Sequence, residues 1–545
     1  MKAPKAYIYL PIAFSLVLIA GIVLGRFSGR IQGRPSFGQT DKITSILNFV
    51  QQQYVDTVNR EKLTDKTIAD MLQELDPHSA YMTADERKRN DEPLEGNFEG
   101  IGVEFNIIAD TVRVMNVITG GPSENAGIHA GDRIVLVDDK PFTGKKVNGN
   151  LVMKTLRGKG GSKVKLSVKR ADVPHLVQVE ITRGSVPIYS IDAAYMLNKE
   201  TGYIKLSRFA ATSYDEFMTS FRKLQSRGMH KLILDLRGNG GGYLNIAVSL
   251  ADEFLSKGKM IVYTRGRSVP GGGKKFIATA GGNFETEPLL VLVDENSASA
   301  SEIIAGAIQD NDRGTILGRR SFGKGLVQEE HELPDGSAFR LTIARYYTPS
   351  GRCIQKPYTK GSEEYYQEEL DRYKKGELLN ADSIHFADSL KFHTPGGKTV
   401  YGGGGIMPDV FVPLDTAERN HYVNNLIFHG LARDYILDYA DSRREAMRKK
   451  GFESFHANFD AGDLLKGFIT YTESKGYKKE EAALTQGHAF LLNYLKATLA
   501  RIVWDEESFY IILNTRDKTL NRAVEELDHP STACAERSRS ALRNR

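Results

Sequence analysis

The sequence predicts a multidomain protein of mixed class, in which a β-rich domain precedes an α/β core. An N-terminal helical unit with a membrane anchor and a C-terminal helical unit flank the pair. Three observations carry this prediction. Residues 7–25 form an uncharged apolar run. From 97 onward apolar residues alternate with polar ones at a period of two, as in half-buried strands. From 184 strand-like and helix-like stretches take turns, which is the pattern of layered α/β folds with a mostly parallel sheet.

The bulk composition narrows the function classes. At 545 residues the chain exceeds a single core, and 41% hydrophobic with 26% charged residues describes folded domains. A net charge of +5 is small for this length and leaves no nucleic-acid footprint. Cys353 and Cys534 lie far apart, so neither a disulfide framework nor a paired-cysteine metal site is expected.

The elements follow in order. The run at 7–25 has Lys2 and Lys5 before it and Arg26, Arg30 and Arg34 after it. At ~1.5 Å per residue it can span hydrocarbon, and no small-residue cleavage motif follows. Residues 1–25 are therefore expected to be an uncleaved signal anchor, with a cleaved signal peptide as the alternative, and 26–40 a linker. Ile43, Ile46, Leu47, Val50 and Tyr54, then Ile68, Met71, Leu72 and Leu75, recur at helical spacing and define a helical domain over 41–95. Within it Thr83 and Glu86 have the spacing of a capping box.

Val112 and Val114, Ile134 and Leu136, Val164, Leu166 and Val168, and Val177, Val179 and Ile181 mark strands of a domain at 96–183. Its stretch GGPSENAGIHAGDRIVLVDDKPF, with FEGIG at 98–102, resembles the PDZ domains. That resemblance implies a β-sandwich-like fold whose Gly100, Ile101 and Gly102 backbone receives the carboxylate of a peptide terminus. The physics agrees, because closely spaced glycines let N–H groups point at an anion while a strand edge pairs with the peptide.

The α/β core runs from 184 to 415, with a polar, charged insertion at 357–400 that reads either as a lid or as a solvated excursion. Helical periodicity returns over 420–528, and 529–545 has the composition of a disordered tail.

Three turns rich in glycine or serine fall at strand ends in this core: RGNGGG (237–242), NSASASE (296–302) and SFGKG (321–325). Carboxyl ends of strands are where such sheets place reactive groups. The third matches a phosphate loop from 318 to 324, but Gly325 stands where magnesium needs a hydroxyl and a strand-like stretch follows, so nucleotide hydrolysis is set aside. A serine hydrolase would need a base; there is no Gly-x-Ser-x-Gly elbow, and His331 sits among Glu329, Glu330 and Glu332 on a wet strand. Lysine can take a serine proton if burial lowers its pKa from about 10.4. Lys324 is the candidate, and Gln328 shares its face if the segment is extended.

DLRGNGGG, SASASEIIAGAIQD, SFGKGLVQ and GIMPDV together resemble the motif set of the C-terminal processing peptidases, or tail-specific proteases, a serine–lysine family (S41) with an embedded PDZ domain. The resemblance covers about 41 to 415. It implies a crotonase/ClpP-like serine peptidase core with Ser299 as nucleophile, Lys324 as general base and Gln328 as the residue orienting it. It further implies the N–H groups of Gly242 and Ala300 as oxyanion donors and Asp310 in support. Ser297 and Ser301 are then expected to serve as turn and helix-capping residues. No metal or organic cofactor is needed. The implied partners are proteins with free C-terminal tails and, through the anchor, the cell inner membrane, crossed once with the catalytic domains on the periplasmic or extracytoplasmic side. A homo-oligomer and an adaptor protein stay open as further partners. The competing reading is a catalytically silent PDZ scaffold on a protease-like fold, which would have no need of Ser299, Lys324 and Gln328 together.

Overall fold

An all-apolar strand such as Leu289–Val293 has no face to offer water, so the sheet that holds it must be covered on both sides. The computed structural model describes residues 14–23, 42–171, 173–267 and 272–529. It divides into two units, Met1–Leu75 and Asp76–Arg545.

In the first unit residues 14–23 are helical and exposed, followed by helices α1 (Lys42–Gln53) and α2 (Arg60–Gln73). The Asn59 side chain caps α2 by accepting from the Lys62 N–H. Among the described residues no helix is long and apolar enough to cross a membrane. The remainder of the expected anchor, the linker at 26–40 and the tail beyond 529 lie outside the described residues.

The second unit opens with a turn at 76–79, strand β1 (Ala80–Met82) and helix α3 (Ala84–Glu95). Thr83 and Glu86 form the capping box that their spacing suggested, and Gly96 in the left-handed region ends the helix. The helical domain expected over 41–95 is therefore divided. Helix α3 belongs to the larger unit, where the Leu94 carbonyl accepts from Ala211 and Glu92 pairs with Arg157.

Strands β2 (Val103–Ile108), β3 (Thr111–Val117), β4 (Arg133–Val137), β5 (Lys163–Lys169) and β6 (Val177–Thr182) form an antiparallel sheet in that order, joined at β4 by the short strand Lys140–Pro141. The inward residues of each strand meet in a common core with Val152 and Leu156 of helix α4 (Gly149–Leu156). Where a sandwich was expected, hydrogen bonding joins these strands into one sheet and α4 supplies the second layer.

The core that follows contains β7 (Ile191–Met196), β8 (Thr201–Leu206), α5 (Ser213–Gln225), β9 (Lys231–Asp235), α6 (Leu244–Asp252), β10 (Met260–Arg265) and β11 (Lys275–Ile277). It continues with β12 (Leu289–Val293), α7 (Ala300–Asp310), β13 (Thr315–Gly318), β14 (Leu326–Glu332), β15 (Ala338–Tyr347), α8 (Ser362–Lys374) and β16 (Val410–Phe411). The main sheet has the order β7-β8-β9-β12-β13-β16; only β7 runs antiparallel. A second, antiparallel sheet has the order β1-β15-β10-β11, with β14 also on β15.

Alternation assigns the two faces of the main sheet. Leu232, Leu234, Val291 and Val293 face α5, α6 and α7. Ile233, Leu290, Leu292 and Leu317 point the other way, and Leu520 and Ala523 of the last described helix cover them. The C-terminal helices are α9 (His421–Phe428), α10 (Leu431–Asp441), α11 (Gly462–Ser474), α12 (Glu481–Val503), α13 (Glu506–Leu513) and α14 (Lys518–Asp528), with two short helices between α10 and α11. The helical unit expected over 420–528 is thus not one body. Helices α9 to α13 share a core of their own, whereas α14 completes the main sheet.

Two further contacts bind these parts together. Met115 of β3 enters the C-terminal helical core, and buried Arg113 pairs with Asp438 and Asp441 of α10. The insertion at 357–400 is tied to the core through its helix α8. Arg372 of its helix α8 is buried and donates to the carbonyls of Arg320 (2.6 Å) and Ser321 (3.1 Å), bracing the SFGKG loop from behind.

Candidate active site

Strands β9, β12 and β13 are neighbours in the parallel sheet, so the three glycine- and serine-rich turns leave the same edge side by side. Asn239 ties the first turn to the second. Its side chain donates to the Leu206 carbonyl (2.9 Å) and accepts from Gly241 (2.8 Å), while its carbonyl accepts from Ala298 (3.0 Å) and from the Ser301 hydroxyl (2.9 Å). Gly241 packs against the second turn so closely that a Cβ would lie 2.8 Å from both Ser299 Cβ and the Ala298 carbonyl oxygen. Ser297 donates to the Leu236 carbonyl (2.9 Å) and accepts from Asp294 N–H. The outer serines therefore stitch the turns together. Ser301 caps nothing, because the N-cap of α7 is Ser299.

Ser299 has φ 55 and ψ −112, a backbone conformation that costs a non-glycine residue on the order of 1–3 kcal/mol. Such a sharp strand-to-helix turn holds a serine hydroxyl clear of its helix, as a nucleophile elbow does, although the Gly-x-Ser-x-Gly signature is missing. Two buried side chains hold it. The Glu302 carboxylate accepts from the N–H groups of Ser299 (2.8 Å), Gly323 (2.7 Å) and Lys324 (2.9 Å) and from the Ser321 hydroxyl (2.6 Å). The Tyr346 hydroxyl lies 2.6 Å from the Lys324 carbonyl and 3.1 Å from that of Ser299. One carboxylate thus holds the amides of Ser299 and Lys324, and one phenol their carbonyls. Burial pushes the Glu302 pKa up to about 7, opposed by its four donors, and lifts the Tyr346 hydroxyl well above its ordinary range.

Lys324 donates to the Gln328 side-chain oxygen at 3.0 Å, and the Gln328 amide nitrogen donates to the His78 carbonyl at 2.6 Å. Burial lowers the Lys324 pKa, with the positive charge of Arg340 adding to it and Glu302 and Asp76 opposing. Burial, then the charge of Lys324, lowers His78 to about 4, so its imidazole is neutral at ordinary pH. Gly242 bridges Phe209 through its neighbours, with Phe209 N–H bonded to Gly241 and Tyr243 N–H to Phe209.

The remaining expected residues lie elsewhere. Asp310 does not reach this cluster: it ends α7 one helix length from Ser299 and is locked to Arg352 (2.7 Å) and Ser350 (2.6 Å). Gly100, Ile101 and Gly102 stay in the β-rich domain, where the Ile101 side chain is buried and only backbone is left to present. His331 is half-exposed and stacks on Phe339. Among the described residues no group of His, Cys, Asp and Glu could hold a metal ion. Glu302, Tyr346 and the turn at 76–79 were missed from sequence. Glu302 left a signal there in the Ser-x-x-Glu spacing from Ser299, and the turn left one in the Asp76-Pro77 dipeptide that breaks the helical pattern.

Residues 200–362 match Peptidase family S41, residues 100–181 the PDZ domain and residues 29–86 the N-terminal domain of the activating protease CtpB. Residues 422–505 match a family of unknown function. The carboxy-terminal-processing protease of Bartonella bacilliformis is 36% identical over 324 residues, 59% of this chain and 73% of that protein. Carboxy-terminal processing protease CtpA of Bacillus subtilis is 33% identical over 383 residues, 68% of this chain and 80% of that protein. CtpB of the same organism is 32% identical over 319 residues, 58% of this chain and 65% of that protein.

Proposed function

Because the chain belongs to the carboxy-terminal processing peptidases, serine-type enzymes of peptidase family S41, and carries a PDZ domain, we propose that it is an endopeptidase cleaving proteins by serine–lysine acyl transfer. The observation that carries this reading is the double clamp of Glu302 and Tyr346. It fixes the backbone of a strained Ser299 to that of a half-buried Lys324 whose pKa is lowered.

In this mechanism neutral Lys324 takes the Ser299 proton as the hydroxyl attacks the scissile carbonyl. The N–H groups of Gly242 and Ala300 stabilise the oxyanion, each such donor contributing about 3 kcal/mol. The lysinium then protonates the leaving amine, and water hydrolyses the acyl-enzyme. Gln328 orients the lysine. The PDZ domain receives a free, apolar carboxyl terminus on the backbone of Gly100, Ile101 and Gly102 and feeds the tail toward Ser299. The apolar run at 7–25 anchors the protein in the cell inner membrane with these domains outside the cytoplasm. A reporter fused after residue 40 that proved cytoplasmic would overturn that orientation.

The test of the activity uses the full chain, wild type against Ser299→Ala and Lys324→Ala. The substrate is an unfolded reporter protein ending in a free apolar carboxylate or in an amide. Cleavage lost in both variants and weakened by amidation is the expected result. No cleavage by any of the three proteins would move the silent-scaffold reading to first place, and cleavage that persists in Ser299→Ala would remove Ser299 as the nucleophile.

A further inference from the structure

A side-chain amide can orient an amine only if something else fixes which way the amide faces. Gln328 meets this condition through four residues that precede the β-rich domain. We propose that the turn at 76–79 is a positioning element for Lys324, acting through the Gln328 amide. The inference rests on the serine–lysine reading given above.

The Gln328 nitrogen donates to the His78 carbonyl at 2.6 Å, which leaves the oxygen facing Lys324 Nζ at 3.0 Å. A flipped amide would set its oxygen against the His78 carbonyl, which is repulsive, and would turn its NH2 toward the amine, tying up the lone pair of a neutral lysine. The carbonyl thereby makes Lys324 a donor to Gln328, and the lone pair of the neutral amine is directed away from Gln328 and left for the Ser299 proton.

The carbonyl is itself held. Asp76, only 8% exposed, accepts from the N–H groups of His78 (2.8 Å) and Ser79 (2.9 Å), from the Ser79 hydroxyl (2.6 Å) and from the Thr342 hydroxyl (3.1 Å). The Ser79 hydroxyl also accepts from the Thr342 N–H at 3.1 Å, which fastens the turn to β15. From the other side α8 grips the same residues. Tyr366 donates to the Pro77 carbonyl (2.9 Å), and the Tyr365 hydroxyl lies 2.9 Å from His78 Nε2. A turn braced internally by Asp76 and tied to a strand and a helix by four contacts has one arrangement for its carbonyl.

Asp76 could instead act by charge alone, because it also faces Lys324 together with Glu302, Arg340 and His78, the last of which Lys356 faces in turn. The two roles differ in sign. Removing a nearby negative charge disfavours the lysinium, so a charge role predicts an acid limb shifted to lower pH and an unchanged alkaline plateau. A positioning role predicts a lower plateau, where the lysine is already neutral.

The experiment measures kcat and KM against pH for a peptide substrate with the full chain. It compares wild type with Asp76→Ala, Asp76→Asn, Ser79→Ala, Gln328→Ala and the Asp76→Ala/Gln328→Ala pair, and adds the rate at which a fluorophosphonate labels Ser299. The expected result is a plateau kcat reduced about 10- to 100-fold in Asp76→Ala with KM little changed, labelling slowed in parallel, and no further loss in the double variant beyond Gln328→Ala alone. Should Asp76→Ala fail to fold, Ser79→Ala carries the same comparison with a smaller loss. A wild-type plateau in Asp76→Ala or Ser79→Ala, or losses that multiply in the double variant, would overturn the proposal. Activity surviving in Ser299→Ala would instead sink the serine–lysine reading, whatever the Asp76 variants do.

Discussion

A carboxylate at position 328 is the sharpest probe of Lys324. Gln328→Glu replaces a neutral oxygen 3.0 Å from the amine with a negative charge, which favours the lysinium and raises its pKa. A base must be unprotonated, so the acid limb of kcat should move to higher pH and activity should recover as pH rises. A limb that stays in place would remove Lys324 from the role of base. Glu302 adds a second proton to that limb. Its pKa is raised to about 7, and only the ionised carboxylate can accept from all four of its donors. Both groups must lose a proton, so log kcat against pH should steepen toward a slope of two once the pH lies below both pKa values. A slope of one throughout would leave Glu302 out of the limb.

At the scale of elements, the glycine turn works because its backbone can touch the turn beside it. Gly241→Ala would drive a methyl into Ser299 Cβ and the Ala298 carbonyl at a φ of 102, and should cost about 100-fold or more in kcat. Gly240→Ala, next to it in sequence, meets nothing within 4 Å and should cost far less. Comparing the two variants separates close approach from loop flexibility. The sequence was most legible at this level. Apolar strands ending in Gly-Gly-Gly, Ser-x-Ser and Gly-Lys-Gly placed three turns on one edge, and the structure brings Ser299, Lys324 and Gln328 into one cluster. What stayed hidden depends on partners distant in sequence. Tyr346 reaches Ser299 from 47 positions away and His78 reaches Gln328 from 250, and no local period encodes such pairings. Asp310 misled for the same reason: its place at the end of α7 was readable, but its partner Arg352, 42 positions on, was not. The elbow at Ser299 was hidden because its strain is sustained by Glu302 and Gly241 rather than by glycines on either side of the serine.

For the molecule as a whole, Arg113 is the join between the β-rich domain and the C-terminal helices. Its guanidinium is 3% exposed and Asp441 is 14% exposed, so Asp441→Ala leaves a buried cation short of its partner and should weaken that join by about 3 kcal/mol. Faster amide exchange in β2 and β3, with the α/β core unchanged, is the expected outcome; uniform protection would show that the other contacts, Met115 and the Asn106–Asp434 hydrogen bond among them, hold the domains without it. Leu520→Ala tests the opposite end of the chain. It opens a cavity beneath the main sheet and should cost about 2–5 kcal/mol in denaturant unfolding, despite its place beyond the peptidase motifs.

Helix α14 also sets a clock. The sheet that carries Ser299 and Lys324 cannot bury Ile233, Leu290, Leu292 and Leu317 until residues 518–528 have been made, long after the last strand of that sheet at 410–411. At ~5–20 residues per second that interval lasts roughly 10 s. Through that time the nascent protein already holds Ser299, Lys324 and Gln328, while the apolar face of the sheet beneath their turns is still without its cover.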